Sequence, residues 1–184
     1  GTFRPAGLVN LGGTAEAAVL GQFDAHPALD LIALLPGAAM LYRGGGDMTF
    51  GPGTPVESGR WTNAAVADFN GDGRDDVALG SRYLQRLTVM TRREDGGFDR
   101  YATRSFGDAV YFVRAANLNG DALADLIYVT GNLRLNVMLG QPGGFGEPVA
   151  QGLDNQIIGN FPVLGDLNGD GDLDIIGVAA DRVW

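Results

Sequence analysis

The 184-residue chain sets 13 basic against 22 acidic residues for a formal charge of −9, and it has no cysteine. Its arginines never run longer than Arg92-Arg93, so it lacks the basic track that phosphate binding needs; the charge disfavours a nucleic-acid partner, and no apolar run is long enough for membrane insertion. Disulfides are excluded, and 30 glycines with no sustained helical apolar period point to strands with frequent reversals.

Taken in order, the chain repeats itself. A worn segment, QFDAHPALD (22–30), is followed by DFNGDGRDD (68–76), NLNGDALAD (117–125) and DLNGDGDLD (166–174), whose last aspartates lie 46, 49 and 49 residues apart. The period of roughly 48 residues makes this one repeat array, with units at about 15–58, 63–106, 111–153 and 158–184, the last incomplete. Each unit reads as four strands. The first precedes the acidic segment (17–23, 64–69, 112–117, 161–166), and the second follows it as a short apolar run such as Val77-Ala78-Leu79 or Leu126-Ile127-Tyr128-Val129. A third covers 38–42, 86–91 and 134–139. A Gly-rich turn then closes on Phe50, Phe98 or Phe145, and a fourth strand covers 54–57, 101–106 and 148–152. Pro52, Pro55 and Pro148 mark that fourth strand as an edge, because proline cannot donate to a central ladder.

The acidic segments carry the chemistry. Side-chain oxygens fall at loop positions 1, 3, 5 and 9: Asp68, Asn70, Asp72 and Asp76; Asn117, Asn119, Asp121 and Asp125; Asp166, Asn168, Asp170 and Asp174. Alternate positions can turn inward around one ion, with the main-chain carbonyl of position 7 (Arg74, Leu123 or Asp172) as a further ligand. Such a set of hard oxygens suits Ca²⁺, which tolerates irregular geometry, better than Mg²⁺. Two or three ions are expected, because the segment at 22–30 keeps only Gln22, Asp24, His26 and Asp30 around Pro27. The loop departs from an EF-hand: its twelfth position is Leu79, Tyr128 or Gly177 in place of the bidentate Glu, and a strand follows it. The competing reading is an acidic turn built from ordinary turn residues.

Four-stranded units of this length suggest an all-β fold, a β-propeller of four-stranded blades. The D-x-N-G-D-G-x-x-D loop, the apolar strand after it and the later G-F turn resemble FG-GAP/VCBS repeats, found in integrin alpha chains, fungal propeller lectins and secreted bacterial proteins. The resemblance implies that the loop joins the first two strands of a blade and that its ion holds that hairpin. Seven blades, usual in that family, would need a longer chain. The expectation is either a piece of a larger propeller or an array whose last blade, stopping at Arg182-Val183-Trp184, is completed by Phe3 to Asn10. Open blade ends would allow self-association.

For function, an enzyme finds little support. His26 is the only histidine and reads as a turn residue, the paired carboxylates are taken up by the loops, and no catalytic residue is proposed. The leading expectation is a calcium-stabilised binding module, secreted or at the cell surface, for a glycan or a cell-surface protein. Trp61, poised on a linker after Gly59, with Tyr83 and Tyr111, would offer rings for stacking, and Arg82 a polar partner; Arg104 is a further such arginine. Tyr128 is expected between blades. The alternatives are a structural or protein-interaction propeller without a small ligand, and a non-catalytic domain of a secreted enzyme.

Overall fold

The computed structural model describes residues 9–132, 134–151, 162–169 and 173–176. The expected ligands Asp170 and Asp172 and the pairing of Phe3 to Asn10 with a strand at Arg182 fall wholly or partly outside the described residues. Sixteen strands are described: β1 (Ala17–Gly21), β2 (Asp30–Leu34), β3 (Ala38–Tyr42), β4 (Thr54–Ser58), β5 (Asn63–Ala67), β6 (Asp76–Ser81), β7 (Arg86–Arg92), β8 (Phe98–Ser105), β9 (Val110–Ala116), β10 (Asp125–Thr130), β11 (Leu135–Met138), β12 (Gly140–Gln141), β13 (Gly144–Phe145), β14 (Val149–Gln151), β15 (Val163–Gly165) and β16 (Asp174–Ile176). No described helix is long and apolar enough to cross a membrane.

Three four-stranded antiparallel sheets follow the chain order. They are β1-β2-β3-β4, β5-β6-β7-β8 and β9-β10-β11-β14, and a β15–β16 hairpin begins a fourth unit. These are the blades of the repeat. Among the described residues no ladder joins the β15–β16 hairpin to the first sheet, so what is seen is a row of blades and not a closed ring.

The sequence pattern explains which strand lies where. β6 and β10 are buried along their whole length, because each is covered by a blade on either side, and both read as unbroken apolar runs after their aspartate. β8 has no fully buried residue and mixes half-buried with exposed ones, as an edge strand with one solvated face should, its alternation broken by a bulge near Tyr101. β4 is likewise an edge, and its pairing with β3 slips where Pro55 stands opposite Met40. The innermost strands are rich in alanine, which lets β1, β5 and β9 approach side by side. Gly80 serves the same end. A Cβ there would lie 2.6 Å from Cγ2 of Val113 in the next blade.

Alternation along the second strands deals each blade's side chains to its two neighbours. Ile32 and Leu34 meet Val77 and Leu79 in one core cluster, Ala78 meets Leu126 and Tyr128 in the next, and Ile127 and Val129 meet Leu164 and Ile175 in the third. Tyr128 thus packs between blades as its position in a second strand implies, with its ring 4.8 Å from that of Phe106. The Phe of the Gly-rich turn has a partner in blades 2 and 3. Phe98 packs against Phe23, the second residue of the preceding blade's loop, at 5.7 Å, and Phe145 packs against Phe69 at 5.9 Å. Such pairs add about 0.5–1.5 kcal/mol beyond area burial. The spacing of these two phenylalanines therefore has a packing cause: each clips its blade to the loop before it.

Trp61 corrects the sequence reading. Expected on an exposed linker, it is fully buried among Leu34, Leu41, Leu79 and Met90, and its indole N–H donates to the Glu57 carbonyl at 3.3 Å. It cannot stack on an external ligand. The repeat carries the reason, since fifteen residues before Asp125, as Trp61 is before Asp76, stands Val110, which is buried too. Trp61→Ala is accordingly expected to destabilise the chain by about 3–5 kcal/mol in chemical denaturation, with Trp61→Phe costing clearly less.

Candidate functional site

Each acidic loop is closed by the aspartate that opens the second strand. In the first three blades this residue is fully buried and both its oxygens accept backbone N–H groups. Asp30 takes the N–H of Phe23 (2.9 Å) and Gly44 (2.8 Å), Asp76 those of Phe69 (3.0 Å) and Arg92 (2.7 Å), and Asp125 those of Leu118 (2.7 Å) and Gly140 (2.8 Å). Asp174 accepts the Leu167 N–H at 2.9 Å. One oxygen thus ties the loop's second residue and the other the exit of the third strand. Burial pushes the Asp76 carboxyl up to about 6, opposed by the N–H groups of Arg92 and Phe69 and reinforced by the charges of Asp72 and Asp68.

The outer positions are tied into the loop by hydrogen bonds. Asp68 accepts the N–H groups of Gly71, Asp72 and Gly73 at 2.7, 3.1 and 2.7 Å, and Asn70 Oδ1 also accepts the Asp72 N–H at 3.0 Å. Asn70 Nδ2 donates to Asp72 Oδ2 at 2.9 Å, while Asp72 Oδ1 accepts the Arg74 N–H at 2.9 Å. Gly71 and Gly73 have φ of 77° and 79°, the left-handed region that the tight wrap requires. The blade-3 loop repeats this with weaker groups. Asn117 Oδ1 accepts the Gly120 N–H, Asn117 Nδ2 donates to the Asp121 carbonyl, and Asn119 Nδ2 lies 2.8 Å from Asp121 Oδ2. Leu123 N–H closes the turn on Asp121 Oδ1 at 2.7 Å. In the fourth loop Asp166 accepts the Gly169 N–H at 2.6 Å, and Asn168 is exposed beside it.

These donor sets are carboxylate, amide and carbonyl oxygens, chemically suited to a hard cation. No group of three or more Asp, Glu, His or Cys side chains is drawn together for a metal among the described residues. The loops place Asn at one or more of positions 1 and 3, direct position 9 at backbone N–H groups, and set Arg74 Nη2 2.7 Å from Asp72 Oδ2.

In the worn loop the charge opposite the carboxylate comes from a side chain. Arg43, from the end of the first blade's third strand, places Nη1 3.1 Å from Asp24 Oδ2, while Nη2 donates to the Gly96 carbonyl of blade 2 at 3.1 Å. His26 behaves as the expected turn residue, its Nδ1 accepting the Ala28 N–H at 3.2 Å. A further strut escaped the sequence reading: Asp75 Oδ2 accepts the Gln22 N–H at 2.7 Å, joining loop to loop across two blades. The run Asp75-Asp76 was its only signal, and only the second residue recurs as an aspartate in every loop.

Among the expected ligand contacts, Tyr83 and Arg82 come together on the β6–β7 turn, and Tyr111 lies about half exposed on β9. Tyr83 does not offer a free upper face, because the Arg60 guanidinium lies 3.7 Å from its ring centroid. A separate cleft of about 280 Å³ opens between blades 2 and 3. Half-buried Ala102 and Phe145 line it above the buried side chains of Leu87 and Met138, with Thr103 and a 2.5 Å ion pair between Arg104 and Glu147 at its polar side.

The pinning role of the ninth position makes a contrast measurable in metal-free buffer. Asp76→Ala strands two buried N–H groups at about 1–3 kcal/mol each, whereas Asp72→Ala at the exposed tip stays within about 1 kcal/mol. Urea denaturation of the two variants reads the difference directly.

A family model described as FG-GAP-like repeat matches residues 22–79, 68–128 and 117–177. No curated protein sequence matches the chain. Among solved structures, it is similar to an Agrocybe aegerita lectin described as specifically recognising non-reducing terminal N-acetylglucosamine, with a TM-score of 0.59 and 22% identity over 86% of this chain and 45% of the lectin. It is also similar to the Photorhabdus luminescens Tc holotoxin pore, with a TM-score of 0.53 and 26% identity over 90% of this chain and 8% of that one. The chain therefore spans less than half the length of either structure. With three tandem matches running from residue 22 to 177, the chain belongs to the FG-GAP-like repeat family.

Proposed function

We propose that the chain is a non-catalytic recognition module, stabilised by calcium, that binds a glycan on a secreted or cell-surface partner. The observation that carries the recognition reading is the cleft between blades 2 and 3, where half-buried Ala102 and Phe145 stand beside the Arg104–Glu147 pair. The accessible part of the Phe145 ring suits the C–H face of a sugar ring and the charged pair suits its hydroxyls, the usual division of labour in a polar-ligand pocket. The likeness to an N-acetylglucosamine-binding lectin supports the same ligand class. Closure into a full propeller, by further blades of a longer chain or of another copy, belongs to this proposal. The likeness to part of a toxin assembly favours a second reading, a propeller that contacts protein.

Calcium would be held by Asp68, Asn70, Asp72 and the Arg74 carbonyl in blade 2, and by Asn117, Asn119, Asp121 and the Leu123 carbonyl in blade 3. Asp166 and Asn168 would begin the third set. Asp76, Asp125 and Asp174 would contribute lone pairs beyond those engaged by backbone N–H groups. When bound, the ion supplies positive charge against the repulsion that Asp68 and Asp72 exert on Asp76. The blade-1 loop needs none, because Arg43 already neutralises Asp24.

Titration calorimetry is expected to find two or three calcium ions, and chelation to lower the melting temperature, since saturation at a hundredfold over Kd adds about 2.7 kcal/mol per site. Asp68→Ala should remove one ion and Asp24→Ala none. No binding heat and unchanged melting would refute the calcium reading. N-acetylglucosamine binding that disappears in Arg104→Ala supports the cleft; a glycan array without hits, beside capture of a defined protein partner, would replace it with the second reading.

A further inference from the structure

At the end of the blades away from the acidic loops, three separate segments meet. Glu16 stands just before β1, Arg60 before β5, and Arg82-Tyr83-Leu84 on the β6–β7 turn. Ser81, fully buried, orders two of them: its Oγ donates to the Arg60 carbonyl at 2.6 Å and accepts the N–H groups of Tyr83 (3.2 Å) and Leu84 (2.9 Å). The Arg82 N–H is fixed in turn by Thr62 Oγ1 at 3.3 Å.

The side chains above this base form a compact cationic patch. Arg60 lies 3.7 Å and Arg82 4.9 Å from the Tyr83 ring centroid. Both arginines grip one carboxylate: Glu16 Oε1 accepts from Arg60 Nε (3.2 Å) and Nη2 (2.6 Å), and Oε2 from Arg82 Nη2 (3.0 Å). Two guanidinium groups against one carboxylate leave the patch with net positive charge on a chain whose formal charge is −9. Arg60 and Arg82 are 44% and 42% exposed, and Tyr83 is 47% exposed. Among the described residues no acceptor is bonded to Arg60 Nη1, to Arg82 Nε or Nη1, or to the Tyr83 hydroxyl.

The blade architecture does not require this arrangement. At the same places the neighbouring repeats have Pro36-Gly37 and Gly131-Asn132 in the turn, and Thr14 and Ala109 before the innermost strand, and they fold into the same four-stranded sheets. A rigid, exposed cluster of donors that only one repeat carries, on an otherwise acidic molecule, is the chemistry of an anion receptor. Glu16 demonstrates that the two guanidinium groups can share a carboxylate.

We infer that Arg60, Arg82 and Tyr83 form a second binding site, separate from the cleft between blades 2 and 3, that takes the carboxylate of an acidic sugar. The sugar part of this inference rests on the glycan-recognition reading above; the carboxylate part rests on the patch alone. The outward guanidinium donors hold the carboxylate, and the Tyr83 hydroxyl bonds a neighbouring ring hydroxyl.

Calorimetry with D-glucuronate, D-glucose and N-acetylglucosamine on the full chain at low ionic strength tests it. Glucuronate is expected to bind at least tenfold tighter than glucose. Arg82→Gln should weaken it about tenfold and Tyr83→Phe several-fold, while Arg93→Gln, outside both sites, leaves it unchanged. Glu16→Gln should strengthen it, since that change removes the carboxylate already held; a merely structural role for the cluster predicts no gain, and this arm decides the matter if Arg82→Gln fails to fold. Absent glucuronate binding, equal affinity for glucose, or affinity indifferent to Arg82 and Glu16 would overturn the inference. N-acetylglucosamine binding without glucuronate binding overturns it and leaves the cleft standing, whereas binding of none of the three sugars removes both.

Discussion

The structure depends on a buried carboxylate with two backbone partners. Asp30, Asp76 and Asp125 each sit at the first position of a second strand, with one oxygen on the loop just crossed and the other on the chain leaving the third strand. A short antiparallel hairpin has little to fix its register at the open end. A charged acceptor shared between the hairpin loop and the third strand supplies that fixing, and charge-assisted bonds to N–H are about twice as strong as neutral ones. Once the loop's second residue is held, its aromatic side chain in blades 1 and 2 projects into the next blade, where Phe98 or Phe145 receives it. Order therefore passes from a carboxylate to a loop, from the loop to a ring pair, and from the ring pair to the next blade.

The recognition features grow out of the same frame. The cleft beside Arg104 exists because the edge strand of blade 2 faces the Gly-rich turn of blade 3, so its walls are residues that recur for packing and its polar side is local to that pair. The patch around Tyr83 hangs on Ser81, the last residue of a strand buried along its whole length. Rigid strands thus hold adaptable surface residues in place, which is how a repeat that cannot change its core can still change what it binds.

Much of this was legible in the sequence because period and chemistry coincide. The spacing of the final aspartates gave the repeat unit, the apolar run after each gave the second strand, and prolines gave the edge. What stayed hidden involves contact between units that single-repeat reading cannot see. Trp61 looked like a linker ring because its neighbours Gly59 and Arg60 are turn-like, yet its place in the repeat matches buried Val110. Arg43 carries no signal of its own; only the fold brings it to Asp24. Aspartate at position 9 looked like one oxygen ligand among several, and the sequence could not tell that its oxygens also bind backbone, since burial distinguishes it from exposed Asp72 and Asp121.

Native-state hydrogen exchange, resolved by amide, tests the central role of the ninth-position aspartates most directly. The amides of Phe23, Phe69 and Leu118, and of their opposite partners Gly44, Arg92 and Gly140, are predicted to exchange only through global unfolding, with the protection of the buried strands β6 and β10. Exchange at these six amides as fast as at the exposed loop glycine Gly71 would contradict the account.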